Sequence, residues 1–431
     1  MSNIDMTKWY RLDNAAKIYP VLSTERYTHV FRVSITLKEK IIPSVLSKAI
    51  QDMRDRFPTF YVKLKHGLFW FYFEPNDKNP IVKEESSIIC QKINIHRNNG
   101  FYFTFLYYEN RISLEVFHAL SDGAGAIIFL KSVVFQYLRL LDRPVESEGE
   151  IFTLGELPTY KEIEDSYEIN CTKAKKIPNR IPDAYLVTGK RFEYVGCGVI
   201  NSEIDTQKLL ALSKEKNCSL TQYIVALLIH SLIVTGDSKK LRQKPINVCV
   251  PINLRPLYHS ETLRNFSLYF HVSYYSKTDD PDIDDIITIV KKAFENEMTP
   301  EKIQSKLNSN VLISKKIYVR FLPLFIKKVL FKIAYTYYAK KPTTITIANF
   351  GNVSLPSSMV QYVDSFTFNL GSGSKPAVAM NSFNGKTKII FSRALVSTEI
   401  EKAFFTYLTS NKLEVKIESN HFETNCKPEI K

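Results

Sequence analysis

The apolar residues change period between residues 111 and 138, and no other stretch of the chain constrains the fold as tightly. Ile112, Leu114 and Val116 alternate with Ser113 and Glu115, which is the two-residue period of a strand with one buried face. After Asp122-Gly123 the spacing becomes Ile127, Leu130, Val134 and Leu138, the stripe of an amphipathic helix. A strand running straight into a helix, each with an apolar face to hide, buries both against a shared core, so a mixed α+β protein is expected.

The rest of the chain supports this reading. Leu46, Ile50, Met53 and Phe57 predict a helix over 43–57 with Pro43 in its first turn. Aromatic runs at 60–64 and 68–73, and at 101–108 and 111–117, predict two antiparallel hairpins. From 146 to 190 the chain is polar, carries Pro158, Pro178 and Pro182, and shows no period, which marks a crossover. The expected organisation is an N-terminal lobe over 1–170, a linker over 171–190 and a C-terminal lobe over 191–431. In the second lobe, a buried helix at 221–234, a strand at 245–250 and an amphipathic helix at 282–296 loosely repeat the order of the first. Asn384-Gly385 between 377–383 and 387–393 is the strongest short hairpin signal.

Of 431 residues, 45% are hydrophobic and 24% charged, enough apolar material for one large core or two ordinary ones. Residues 1–20 contain no apolar run of the secretory kind, so export is not expected. The longest apolar run, 223–234, is too short to span a bilayer. Six cysteines without a Cys-x-x-Cys pair fit a reducing cytoplasm and no metal site. The net charge of +14 favours an anionic partner, and its spread along the chain does not select one; no nucleic-acid-reading motif accompanies it.

Three segments carry candidate chemistry. His118 lies where a strand ends and a helix begins, four residues before Asp122 and followed by Gly123. A neutral imidazole there can take a proton from an attacking hydroxyl or amine. The same pattern also fits a strand-end histidine followed by a helix cap. Arg255, in Pro251-Ile252-Asn253-Leu254-Arg255, can hold a carboxylate through two parallel hydrogen bonds. Asn349 and Gly351 mark a turn that can bring backbone amides to a ligand, and turn chemistry alone also explains them.

Together, in this order, the three segments resemble the chloramphenicol-acetyltransferase-like superfamily of acyl-CoA-dependent acyltransferases. His118 to Gly123 is similar to its His-x-x-x-Asp-Gly element, Pro251 to Arg255 to its Pro-x-Asn-Leu-Arg segment, and Asn349 to Gly351 to its Asn-Phe-Gly loop. With the opening Tyr10-Arg11-Leu12-Asp13-Asn14-Ala15-Ala16-Lys17, the chain looks most like bacterial alcohol acetyltransferases and condensation-domain-like proteins. Phe117 stands where condensation domains carry a first histidine, and the 349–353 loop lacks the Asp and Trp of the plant enzymes.

The resemblance implies two similar mixed-sheet lobes with an active-site tunnel between them. It implies His118 as general base, Asp122 paired with Arg255 in a structural role, and Gly123 with the Asn349–Gly351 loop as oxyanion or tunnel-lining groups. Acyl-CoA would be a co-substrate rather than a bound cofactor, the acceptor an alcohol or amine, and an acyl carrier protein the alternative donor. A non-catalytic relative that binds acyl ligands or a partner protein is the remaining alternative. Residues 315–341, rich in lysine and apolar residues, fit either a surface for membranes or carrier proteins or, the favoured expectation, a core-packed helix with solvated lysines.

Overall fold

A computed structural model describes residues 9–172, 181–193, 196–371, 373 and 375–420. Their fifteen strands, numbered in chain order, form three sheets. The middle of the expected linker, 173–180, the segment 1–8 and Cys426 lie outside the described residues.

The first lobe is built on a five-stranded sheet of β12 (Val363–Asn369), β2 (Val30–Leu37), β7 (Arg111–Phe117), β6 (Phe103–Tyr108) and β5 (Val82–Glu84), in that order. The 18-residue helix Gly123–Leu140 packs on it and against the helix Pro43–Asp52. By length and composition the longer helix could cross a membrane, yet two thirds of it is buried in this core. The helix begun at Pro43 stops at Asp52, short of the expected Phe57: Met53 leaves helical geometry with a ψ of 2°, and 53–56 form a turn. Met53 and Phe57 stay fully buried through the turn that follows.

The second lobe is a seven-stranded sheet in the order β10 (Ser267–Tyr274), β9 (Ile246–Asn253), β11 (Ile345–Asn352), β13 (Ala377–Phe383), β14 (Lys386–Arg393), β8 (Gly198–Asp205) and β15 (Val415–Ser419). The helices Leu220–Val234, Ile283–Glu297 and Glu399–Ser410 contribute to its core. A small sheet, β1 (Tyr10–Arg11), β4 (Phe71–Pro75) and β3 (Val62–His66), completes the set.

Three expectations need correction. The lobes do not separate at 171–190 in the simple way the chain order suggests, because β12 from the second half pairs antiparallel with β2, setting Phe366 opposite Ile35 and Phe368 opposite Val33. Asn349 to Gly351 is not a free turn but the bulged end of β11, whose register against β13 shifts between Asn349 and Asn352. Residues 315–341 do form helices, Ile317–Phe321 and Leu324–Tyr335, but these are not core-packed with their lysines in solvent. Phe325, Val329 and Ile333 are exposed, while Lys327 is fully buried.

Candidate active site

His118 stands one residue past β7. Its amide donates to the His29 carbonyl at 2.8 Å, which extends the β2–β7 ladder by one rung and fixes the backbone at the strand end. The ring is held on two sides: Tyr19 stacks on it at 4.5 Å between centroids, and Phe31 meets it edge-on at 5.1 Å.

The histidine's hydrogen bonding sets its tautomer. Nδ1 of His118 lies 2.9 Å from Oδ1 of the buried Asn265. The Asn265 Nδ2 donates to Asp13 Oδ2 at 3.1 Å, and Asp13 Oδ1 accepts from the Ala16 amide at 2.7 Å. A carboxylate only accepts, so the amide group of Asn265 must turn its NH2 toward Asp13 and its oxygen toward the imidazole. Nδ1 therefore carries a proton, and in the neutral ring it is Nε2 that holds the lone pair.

His118 lines a cavity of about 360 Å³ between the two large sheets. Val30 and Phe31 of β2 form one wall; Cys249 and Pro251 of β9 with Thr346 and Ala348 of β11 form the other. Among the described residues no carboxylate lines it, and Lys340 and Lys375 supply cations. Burial pushes the Cys249 thiol up to about 12, so it is not a thiolate nucleophile near neutral pH. His29 also lines the cavity with a backbone φ of 51°, a left-handed conformation uncommon outside glycine. Among the described residues its buried Nε2 has no partner. Burial, reinforced by neighbouring His118, pushes its pKa down to about 4, so it is neutral at physiological pH. A comparable cavity of about 390 Å³, lined by Arg32, Ser34, Asn201 and Lys388, has no histidine among the described residues of its lining.

Of the residues expected at the site, His118 alone lines the cavity. Asp122 points into the protein as N-cap of the helix Gly123–Leu140, accepting from the Gly125 amide at 3.2 Å and the Phe266 amide at 2.9 Å. Arg255 grips it with two bonds of 2.9 Å and also donates to the carbonyls of Thr262 and Arg264. Burial by itself would raise the Asp122 carboxyl, but the Arg255 charge and these amides outweigh it and hold the carboxyl below its usual range.

Gly123 is closely packed: a Cβ there would come within 2.4 Å of the Phe350 ring, itself stacked on Phe368 at 3.7 Å, so that ring would have to shift. Asn349 and Gly351 are not brought to the cavity. The Asn349 side chain donates to Thr221 Oγ1 at 2.9 Å and accepts from the Gly351 amide at 2.8 Å. Sequence reasoning missed Asn265, Tyr19 and His29, and no spacing marks them. Asp13 lies within the quoted opening segment without a role having been assigned to it.

No protein-family model and no curated protein matches the sequence. Solved structures match over nearly its whole length. Polyketide synthase associated protein 5 from Mycobacterium tuberculosis has a TM-score of 0.60 at 14% identity, covering 95% of this chain and 98% of that one. F. sporotrichioides TRI101 complexed with coenzyme A and T-2 has a TM-score of 0.61 at 9% identity, covering 95% and 99%. The starter condensation domain of rhizomide synthetase RzmA, in complex with C8-CoA and Leu-SNAC, has a TM-score of 0.60 at 11% identity, covering 94% of each chain. The chain shares with these structures the chloramphenicol-acetyltransferase-like fold.

Proposed function

We propose that the protein is an acyltransferase that moves an acyl group from acyl-CoA to a hydroxyl or amine acceptor by direct attack, with His118 as general base. The observation that carries this reading is the Asp13–Asn265–His118 chain, which makes Nδ1 the donor and so gives Nε2, in the neutral ring, the accepting role on a residue lining the inter-lobe cavity. An acceptor O–H or N–H placed there gives its proton to Nε2 as the heteroatom attacks the thioester carbonyl. The tetrahedral adduct collapses, the C–S bond breaks, and the thiolate of coenzyme A takes the proton back from His118.

Asp122 and Arg255 act at a distance from the reacting atoms, tying the histidine loop of one lobe to the 253–266 segment of the other. The resemblance implies Gly123 and the Asn349–Gly351 loop as oxyanion groups, but none of them lines the cavity and Asn349 is bonded to Thr221, so none is given that role in this mechanism. Lys340 and Lys375 on the cavity lining suit the phosphates of the donor. No permanently bound cofactor enters this mechanism. The test is release of free thiol from a series of acyl-CoA donors, with and without a panel of alcohols and amines. Acceptor-dependent thiol release supports the reading. Absence of release with every donor and acceptor, alongside transfer from an acyl carrier protein, would replace coenzyme A by a carrier-bound donor.

A further inference from the structure

Residues 302–363 contain no aspartate or glutamate. Within them, 315–341 hold eight lysines and arginines, more than half the net charge of +14 in 27 residues, so the positive excess is concentrated rather than spread. The fold turns this segment inside out. Along the helix Leu324–Tyr335, the stripe facing the protein is Leu324, Lys327 and Phe331, and the stripe facing outward is Ile326, Val329, Leu330 and Ile333. Lys327 is fully buried, donating to the Phe69 and Arg320 carbonyls at 2.8 and 3.2 Å and lying 3.5 Å from the centre of the Trp70 ring.

The exposed apolar surface continues beyond that helix. Ile317, Phe325 and Tyr338 are 76%, 70% and 77% exposed, and Phe321 protrudes beside them. The β3–β4 turn adds Leu68, 71% exposed, whose carbonyl accepts from the Leu324 amide at 2.9 Å. An outward row of large apolar side chains on a water-soluble surface is costly in the absence of a partner. Lys315, Arg320 and Lys332 are exposed on the same segment, and no acid from it offsets them. Apolar side chains bordered by uncompensated cations match the boundary between anionic headgroups and acyl chains, where interfacial helices lie.

We propose that the face formed by residues 315–341 and the β3–β4 turn docks the protein on an anionic lipid surface, with Phe321, Phe325 and Val329 inserted at the headgroup boundary. Tyr335 and Lys340, at the end of the same segment, line the His118 cavity, so docking sets one side of that cavity at the lipid. The consequence for substrate entry rests on the acyl-transfer reading; the docking does not.

The experiment is flotation of the full chain with vesicles of phosphatidylcholine alone and of phosphatidylcholine mixed with phosphatidylglycerol, which needs no catalytic activity. Wild type is expected to float with the anionic vesicles, less so as salt is raised, and to remain unbound with neutral ones. A Lys315→Ser/Arg320→Ser/Lys332→Ser variant is expected to lose on the order of 10²-fold in partition coefficient. A Phe321→Ser/Phe325→Ser/Val329→Ser variant should lose at least about 10-fold with an unchanged melting temperature, since those side chains are already in water. Equal binding to both vesicle types, or wild-type binding by either variant, overturns the proposal. So does capture of an acidic carrier protein, or dimerisation through this face, without vesicle binding.

Discussion

Arg255 holds both carboxylate oxygens of Asp122 at 2.9 Å, joining residues 133 apart in the chain. Both side chains are close to fully buried, and the same guanidinium carries the Thr262 and Arg264 carbonyls, so the pair anchors a whole loop against the helix that follows His118. Removing either partner leaves a buried charge uncompensated. Asp122→Ala and Arg255→Ala are each expected to lower unfolding free energy by about 3–5 kcal/mol, and the double variant by clearly less than their sum. Denaturant unfolding of the four proteins measures this, and additive effects would show that the two side chains act independently.

The two glycines after Asp122 should differ in tolerance. A Cβ at Gly125 would sit 2.1 Å from the Leu263 carbonyl oxygen, a backbone atom fixed by the Arg255 loop, whereas one at Gly123 meets only the Phe350 ring. Gly125→Ala is therefore expected to cost at least about 1–3 kcal/mol and to separate the lobes locally. Gly123→Ala should cost less, because Phe350 can swing away at the expense of its stacking on Phe368. Melting temperatures in the reverse order would mean that the Phe350 stack, rather than the Leu263 contact, is the rigid element.

What could be read from the sequence was local. The period change at 111–138 gave β7, the helix after it and the position of His118 between them, because a single strand–turn–helix unit carries its own signal. Asp122 and Arg255 came from motif order, and their bond joins elements whose pairing no periodicity reveals. Asn265 and Tyr19 reach His118 through tertiary packing alone. The insertion of β12 beside β2 was illegible for the same reason: a strand pattern at 363–369 does not say which sheet it joins. Residues 315–341 misled because an apolar helical stripe predicts burial, and here the buried stripe holds Lys327.

Two buried histidines predict acid sensitivity. Burial lowers His29 and His271 from the usual imidazole value to about 4, with His118 adding to the effect at His29 and Lys306 and Lys375 at His271. Unfolded, both bind protons near pH 6.5, so the unfolded state takes up protons that the folded state refuses. Their contribution is complete above about pH 6.5 and falls as pH drops toward about 4. Asp122, held below the usual carboxylate range, adds a further loss at still lower pH as its folded carboxyl protonates. Melting temperature measured against pH should decline through this window. His29→Asn, which tolerates the positive φ, should flatten the decline, and an unchanged slope would remove His29 from the account.

If His118 is the general base, Asn265 positions it and should leave a kinetic signature. Asn265→Ala removes the acceptor of His118 Nδ1–H and the donor to Asp13, so both the tautomer and the ring orientation lose their support. The expected result is a fall in kcat on the order of 10²-fold with little change in the dissociation constant for acyl-CoA. A variant that loses stability but retains kcat in its folded fraction would assign Asn265 to packing alone.

The central prediction concerns His118. It lines the cavity, its ring is held by Tyr19 and Phe31, and Asn265 leaves Nε2 as the ring nitrogen able to accept a proton. As a general base it should contribute roughly 10²–10⁴-fold to the rate. His118→Ala is expected to lose that factor in kcat while remaining folded and still binding acyl-CoA, because the backbone bond to His29 survives the substitution. A structural histidine would give the opposite pattern, a lower melting temperature with turnover in the folded molecules nearly intact. Thiol release and thermal midpoint measured on the same His118→Ala preparation separate the two. Near-normal kcat in a correctly folded variant would end the catalytic assignment and make a non-catalytic acyl-ligand-binding relative the better reading.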